Sequence, residues 1–183
     1  MIASVPGDAM IVLVGASGSG KSTLAARLFA SAEVLSSDAF RAVVAGDEAD
    51  QSASADAFAL LHTALAARLE RGQLTVVDAT NVEEWGRRQL LDIAARWRRP
   101  AVALVLDLPL EVCLARNLAR PGRRVPPAAV RRQHRELRAS LANLAGEGFA
   151  AVDVVTDAEE LDRLQVVRDP QSSVVVQRAT SRT

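Results

Sequence analysis

The segment Gly15–Ser22 (GASGSGKS) matches the pattern G-x-x-x-x-G-K-[ST] in full. Its glycines let successive backbone N–H groups turn inward and form a nest for an anion. In this pattern the lysine, here Lys21, bridges the β- and γ-phosphates of a nucleotide, and the hydroxyl of Ser22 is a ligand of Mg²⁺. The segment therefore predicts a site for ATP and Mg²⁺. Its predicted residues are Gly15, Ala16, Ser17, Gly18, Ser19, Gly20, Lys21, Ser22 and Thr23.

The same segment contains the chain's single lysine. Of the 22 Lys and Arg residues among the 183, all except Lys21 are arginines. A compact ammonium on a flexible stem fits between phosphate groups where a planar guanidinium does not, which would explain a lysine at this position alone. The alternatives are a Gly/Ser-rich turn without a ligand and a lysine that stands here by chance.

A carboxylate, Asp38, lies at the end of a short apolar segment that reads as a strand. Transfer of a phosphoryl group to a hydroxyl needs a group that orients the nucleophile and accepts its proton, and Asp38 is the candidate. Arg41, three residues later, could hold a phosphate on the acceptor molecule. The structural alternative is that Asp38 caps the N-terminus of the following helix.

A second carboxylate closes another apolar segment, LTVVD, and is followed by Ala79, Thr80 and Asn81. Asp78 is a candidate ligand of Mg²⁺ through a water molecule. Thr80 and Asn81 could reach a substrate, or they could cap the helix that follows. The sequence leaves both interpretations open.

Arginines are concentrated in and after a Pro/Gly-rich loop at 119–127. Arginine's fork binds phosphate oxygens in pairs, and a mobile loop that carries arginines is typical of a lid over ATP. We expect a functional role for Arg116 and Arg123 and a solvated helix face for the arginines further along. The arginines of this region are Arg116, Arg120, Arg123, Arg124, Arg131, Arg132, Arg135 and Arg138.

The remaining reactive side chains fit packing better than chemistry. His134 and His62 lie on apolar helix faces, and Cys113 lies within a predicted helix. No cluster of His, Cys and carboxylates has the spacing of a metal site.

Strands and helices alternate along the chain, which predicts an α/β fold: a parallel sheet flanked by helices, as in P-loop kinases, with an Arg-rich lid. In such sheets the ligand lies at the carboxyl ends of the strands, where the candidate residues fall. The predicted strands are Met10–Val14, Glu33–Ser36, Leu74–Asp78, Ala101–Leu106 and Val152–Val155. The predicted helices are Thr23–Phe29, Ala53–Arg71, Glu83–Trp97, Leu110–Leu118 and Pro127–Gly146.

Composition narrows the class of protein. The length suits one domain, predicted at residues 1–168, with 169–183 as a polar tail or linker. A net charge of zero argues against indiscriminate coating by nucleic acid. The N-terminus has no basic region or long apolar run, no apolar segment is long enough to span a membrane, and the one cysteine cannot form an intrachain disulfide. We therefore expect a cytoplasmic protein.

Several segments together resemble the kinase domain of bacterial polynucleotide kinase–phosphatase. They include GASGSGKST, EVLSSDAFR, QLTVVDATNVEE and LPLEVCLARNLARPGRRV, and the resemblance runs from about Met10 to about Val167. It implies transfer of the ATP γ-phosphate to a 5′-hydroxyl end of RNA or DNA.

The resemblance also implies roles for single residues. Asp38 would be the general base and Arg41 the clamp on the acceptor's phosphate. Arg116 and Arg123 would be lid arginines on the ATP phosphates, and Gln51 and Thr80 would lie near the acceptor groove.

In that family a phosphatase and a ligase-like module usually follow the kinase, so we expect a partner domain or protein of that kind. An excised domain and a free-standing relative with a different acceptor both remain open. Two other functions compete: a kinase for a sugar, nucleoside or antibiotic, and a module that binds ATP for regulation.

Overall fold

The computed structural model describes residues 2–121 and 124–169. Within them lie seven strands and seven α-helices. The strands are Ile2–Pro6 (β1), Met10–Gly15 (β2), Val34–Ser36 (β3), Thr75–Asp78 (β4), Ala101–Leu106 (β5), Ala151–Val155 (β6) and Gln165–Asp169 (β7). The helices are Lys21–Leu28 (α1), Ser37–Ala45 (α2), Ser54–Glu70 (α3), Glu84–Arg96 (α4), Leu110–Ala119 (α5), Pro127–Leu144 (α6) and Ala158–Arg163 (α7).

Five strands form a parallel sheet in the order β3-β4-β2-β5-β6. Every residue of the central strands β2 and β5 is buried, as expected for continuous apolar strands covered on both faces. Asp78 is in register with Leu13 of β2 and Ser36 of β3. The carboxyl ends of β2, β3 and β4 therefore meet at one edge. The predicted α/β class with a helix-flanked parallel sheet is confirmed.

Alternate residues of the central strands point into two separate cores. On one face, Ile11 and Leu13 pack in a cluster with Leu24 of α1, Cys113 of α5 and Leu161 of α7. On the other face the cluster contains residues from β2, α3, α4 and α6. These residues include Val12, Val14, Leu61, Leu65, Leu90 and Leu137. This period of two explains why a short apolar strand can support helices on both sides.

The predicted elements of the main sheet have the observed positions, and their ends differ by at most two residues. A helix after Asp38 was expected without stated bounds, and it is α2. Two features were not predicted. The short helix α7 follows β6. Strands β1 and β7 pair in parallel as a separate two-stranded sheet. The two strands of this sheet are far apart in sequence, so no local turn signal predicts their pairing.

Contacts between distant segments anchor this second sheet. Arg27 of α1 donates to the carbonyl oxygens of Leu161, Asp162 and Leu164 at 2.7 to 3.2 Å. Arg168 of β7 donates to both carboxylate oxygens of Glu33 at 2.8 Å. Strand β7 includes Asp169, the first residue of the predicted tail, while 170–183 lie outside the described residues.

Across residues 2–121 and 124–169, no helix combines the length and apolar character that crossing a bilayer requires.

Candidate functional site

The glycine-rich segment between β2 and α1 forms a tight loop that only glycine permits at two positions. Gly18 and Gly20 have φ angles of 83° and 102°, which L side chains rarely adopt. A Cβ on Gly18 would lie 2.1 Å from the carbonyl oxygen of Cys113, so the start of α5 packs directly on the loop. The loop is thus a preformed backbone cradle at the N-terminus of α1.

Lys21 lies at the first position of α1, and its side chain is 8% exposed. The Nζ atom donates to the carbonyl oxygens of Gly15 and Ala16, each at 2.9 Å. Burial lowers the pKa of Lys21 to about 8, although the nearby Asp78 carboxylate opposes the shift. An ammonium in such a poorly solvated position interacts strongly with any anion that enters the loop.

Asp38 lies in the first turn of α2, but it does not cap that helix. The N-cap is Ser36, whose Oγ accepts from the Ala39 N–H at 3.5 Å. The Asp38 carboxylate forms an ion pair with Arg41, one turn along, and lies 3.9 Å from Nη2 of Arg120. The N-cap alternative is therefore wrong, and the carboxylate is held by guanidinium groups.

Arg41 is 5% exposed, and its Nε donates to the carbonyl oxygen of Glu48 at 2.9 Å. Together with its pairing to Asp38, this anchors the guanidinium on the cleft wall. Its contact with an acceptor phosphate stays a prediction.

The segment after β4 is tied to the strand that leads into the glycine-rich loop. Gly15 N–H donates to the carbonyl oxygen of Thr80 at 2.9 Å. Asn81 has a φ of 49°, and its Nδ2 donates to the carbonyl oxygen of Leu13 at 2.8 Å. Asp78 is 6% exposed at the end of β4. The N-cap of α4 is Glu83, so of the two alternatives for Thr80 and Asn81, the helix cap is wrong, and contact with a substrate stays a prediction.

Arg87 of α4 is fully buried, and its hydrogen bonds hold the segment between β4 and α4 in place. Its Nη1 donates to the carbonyl oxygens of Asn81 and Val82 at 2.9 and 2.7 Å. Its Nε and Nη2 donate to the two carboxylate oxygens of Glu147 at 2.7 and 2.5 Å. The end of β4 and the start of α4 are therefore fixed relative to each other.

The arginines divide between the cleft and the helix surface. Arg116 lies beside the loop, since a Cβ on Gly20 would be 3.4 Å from its Nη1. Arg123 lies outside the described residues. Arg131 and Arg135 are exposed, as expected. Arg138 is exposed too, and it donates to Oδ2 of the buried Asp107 at 2.6 Å.

Arg132 is exposed as well, as expected. It lines the edge of the cleft and forms an ion pair with Glu136 at 3.5 Å.

Sequence reasoning missed Gln133 of α6, whose Oε1 accepts from the Ser17 N–H at 2.9 Å. No local motif announces this contact, because 116 residues separate the partners.

The histidines behave differently from each other. His134 packs with an Nε2 contact of 3.2 Å to the Leu108 carbonyl oxygen, as expected, whereas His62 is half-buried and lines the cleft.

A single cleft of about 1430 Å³ brings these groups together. One part of its lining, the P-loop side, comes from the loop, α1, Arg116 and Leu161. Another part, the helical side, comes from α3, α4 and the residues just before them, including Gln51 and Thr80. Asp38, Arg41 and Asp78 lie on the wall of the same cleft. Gly15, Ala16 and Ser19 of the loop were also predicted to bind the nucleotide, but they are buried and do not line the cleft.

The donor set fits Mg²⁺ bound with a nucleotide. Ser22 offers a hydroxyl and Asp78 a carboxylate in this cleft, and Mg²⁺ is usually held by one or two protein oxygens plus phosphates and water. Within the described part of the chain, no group of three His, Cys, Asp or Glu residues could hold a metal by itself. The residues therefore suit a cation that arrives with its phosphates.

A model of one protein family matches residues 10–144, which include the loop, the sheet core and the Arg-rich region. That family is described as an AAA domain (AAA_33). The chain belongs to the AAA_33 family. No curated protein matches this member of the family.

Solved structures share its fold. A chain of the Pnkp1/Rnl/Hen1 RNA repair complex matches 76% of this chain with a TM-score of 0.62 and 23% identity, but this chain spans only 47% of it. A gluconokinase from Sinorhizobium meliloti 1021 matches 87% of this chain and 90% of its own, with a TM-score of 0.52 and 21% identity. A shikimate kinase from Acinetobacter baumannii, in complex with shikimate, matches 85% and 88%, with a TM-score of 0.51 and 21% identity. At these identities the likeness establishes the P-loop kinase fold.

Proposed function

We propose that this AAA_33 member is an ATP-dependent kinase that transfers the γ-phosphoryl group to the 5′-hydroxyl end of RNA or DNA. The observation that carries the proposal is that the Lys21 loop and the Asp38–Arg41 pair open onto one cleft. A phosphate cradle and a carboxylate facing the same space are the two parts that phosphoryl transfer to an alcohol needs.

Bound ATP and Mg²⁺ would supply the transferable phosphoryl group and neutralise part of its charge. The backbone of the loop would hold the phosphates, with Lys21 and Arg116 as the cationic groups beside it. Ser22 and, through water, Asp78 would hold the metal. The burial of Lys21 strengthens its interaction with phosphate oxygens, because little water screens it.

Asp38 would accept the proton of the attacking hydroxyl. Arg41 and Arg120 hold this carboxylate in place, so the base is oriented before an acceptor enters. Arg41 would contact a phosphate of the acceptor, and Arg123 would add a lid contact to the ATP phosphates.

A 5′-hydroxyl nucleic-acid end is supported by the motif resemblance and by the fold shared with a chain of an RNA repair complex. The Pnkp1-containing complex also motivates a partner with phosphatase or ligase activity, which we propose for this chain. The neutral net charge agrees with recognition of an end rather than a long backbone.

One observation favours a second candidate, a kinase for a small metabolite. The described residues on the helical side of the cleft include no arginine or lysine, so little there would bind a chain of phosphates. Kinases of gluconate and shikimate share the fold over most of their length.

Transfer of radiolabelled γ-phosphate would separate these candidates. The chain is offered 5′-hydroxyl RNA and DNA oligonucleotides, the same oligonucleotides with 5′-phosphates, and a panel of sugars and nucleosides. We expect label on the 5′-hydroxyl oligonucleotides only, and none with Asp38→Asn. Label on metabolites alone would establish the second candidate. ATP binding without transfer to any acceptor would indicate a regulatory module.

A further inference from the structure

An aromatic wall lines the helical side of the cleft. We define it by three residues: Phe58 and His62 of α3 and Trp85 of α4. The Phe58 and His62 rings are 6.1 Å apart, centroid to centroid, and tilted by 54°. These three rings line the helical side of the cleft and offer π-faces to a flat, apolar ligand group.

Trp85 is the distinctive member of this wall. Its side chain is 65% exposed, and it is the one aromatic residue among the exposed large hydrophobic residues of the described chain. Tryptophan usually buries most of its surface on folding. An indole left open inside a binding cleft therefore has a face available for a ligand.

The wall carries little charge. Burial lowers the pKa of His62 below its usual value, so its imidazole is neutral at pH 7. Among the described residues that line the helical side of the cleft, the one acidic residue is Glu83, and no arginine or lysine is present. A phosphate would be repelled here, whereas an uncharged ring would not.

The position of Trp85 is fixed and has open space beside it. Trp85 lies in the first turn of α4, whose start Arg87 holds through the Asn81 and Val82 carbonyl oxygens. A Cβ added to the neighbouring Gly86, which also lines the cleft, would meet no atom within 4 Å. A ligand ring can therefore approach the indole without moving the helix.

We propose that Trp85 stacks on the base of the acceptor's 5′-terminal nucleotide. This rests on the proposed function and adds the acceptor group that the enzyme recognises. The phosphodiester on the 3′ side of that nucleotide lies toward Arg41, and the base lies on the aromatic wall. Stacking explains how an end could be held without cations on this side, and it tolerates any base, because each base has a π-face.

The test compares two acceptors that differ in one group. One is a 5′-hydroxyl oligonucleotide, and the other has the same sequence with an abasic residue at its 5′ end. Trp85→Ala should raise the KM of the base-bearing acceptor about 5- to 100-fold. It should leave the KM of the abasic acceptor and the KM of ATP unchanged. Trp85→Phe should restore most of the loss.

Leu118→Ala is the matched control. Leu118 is 66% exposed, like Trp85, but does not line the cleft. Its truncation should change neither acceptor's KM. Equal losses by Trp85→Ala on both acceptors, or no loss on either, would overturn the stacking while leaving the transfer reaction standing.

A second readout does not depend on activity. A 5′-hydroxyl dinucleotide should quench the fluorescence of Trp85, with Trp85→Phe reporting the contribution of Trp97, the second tryptophan. Quenching without phosphoryl transfer would leave the stacking site standing and overturn the kinase reaction. Absence of quenching at saturating dinucleotide would overturn the stacking site.

Discussion

The P-loop side of the cleft comes largely from one contiguous segment, whereas the helical side is assembled from helices far apart in the chain. On the P-loop side, Gly15–Ser22 brings backbone amides, Lys21 and Ser22 together within a single loop and helix turn. On the helical side, α3 and α4 meet only because the β4 strand between them enters the sheet beside β2. The local sequence thus determines which groups form the P-loop side, whereas tertiary packing determines which residues form the helical side.

The difference extends to how each side is held. The loop depends on backbone conformation, with glycines at positive φ and a close approach to Cys113. The helical side depends on a buried side-chain network, in which Arg87 joins Glu147 to the start of α4. Substitutions should therefore affect the two sides through different properties.

The largest effect should come from Lys21→Met, which removes the cation of the P-loop side. We expect kcat/KM to fall about 10³-fold, comparable to the loss of one preorganised charge contact at a transition state. Steady-state kinetics with varied ATP would measure it. Lys21→Arg should restore little, because a guanidinium does not fit the pocket of the compact ammonium. Full activity of the arginine variant would contradict this view of the loop.

Asp38→Asn should have a slightly smaller effect and a different signature. We expect kcat to fall about 10²- to 10³-fold from loss of the proton acceptor. The Kd of ATP, measured by isothermal titration calorimetry, should stay the same because the loop is untouched. If ATP binding weakened as strongly as kcat fell, the division between the two sides would be wrong at this residue.

Arg87→Met should lower the free energy of unfolding, because Arg87 belongs to the buried network that holds the helical side. Removing one partner of a buried ion pair leaves Glu147 uncompensated, which costs about 3 kcal/mol or more of the free energy of unfolding. Urea denaturation would measure the loss. Arg88→Met is the matched control on the same helix, since Arg88 pairs with Asp92 at the surface. It should change the free energy by no more than about 0.5 kcal/mol.

The smallest expected effect concerns the protonation of Lys21 on the P-loop side. The pKa of Lys21 is lowered from 10.5 to about 8 in the folded chain. Between these values the folded state holds fewer protons than the unfolded state, so the free energy of unfolding should rise with pH from about 8 to 10.5.

A polyphosphate favours the charged ammonium, so ATP binding should take up a fraction of one proton at about pH 8.5. Calorimetry in two buffers of different ionisation enthalpy would detect the uptake. Lys21→Met should abolish it. Equal apparent enthalpies in both buffers for the unmodified chain would show that Lys21 stays charged when free.

Local sequence was enough for the parts of the molecule whose interactions are local. The apolar strand Met10–Val14, the glycine pattern and the Lys–Ser pair predicted the loop between a strand and a helix. The carboxyl-end rule for parallel strands then placed Asp38 and Asp78 at the same edge, and the register of Ser36 with Asp78 agrees.

The sequence could not predict contacts between residues that are far apart in the chain. The β1–β7 pairing, the Gln133 contact with Ser17 and the Arg87–Glu147 pair join such segments. Asp38 had two local interpretations, and only the position of Ser36 as the N-cap excluded the capping role.

The amino-acid sequence by itself therefore determined the phosphate loop, the order of the elements and the class of fold. A glycine at positive φ or an alternation of apolar residues acts through its nearest neighbours along the chain. The tertiary structure decided which side chains share the cleft, that guanidinium groups hold Asp38, and that Trp85 lies exposed in the cleft. These features depend on how helices from distant segments pack across the sheet.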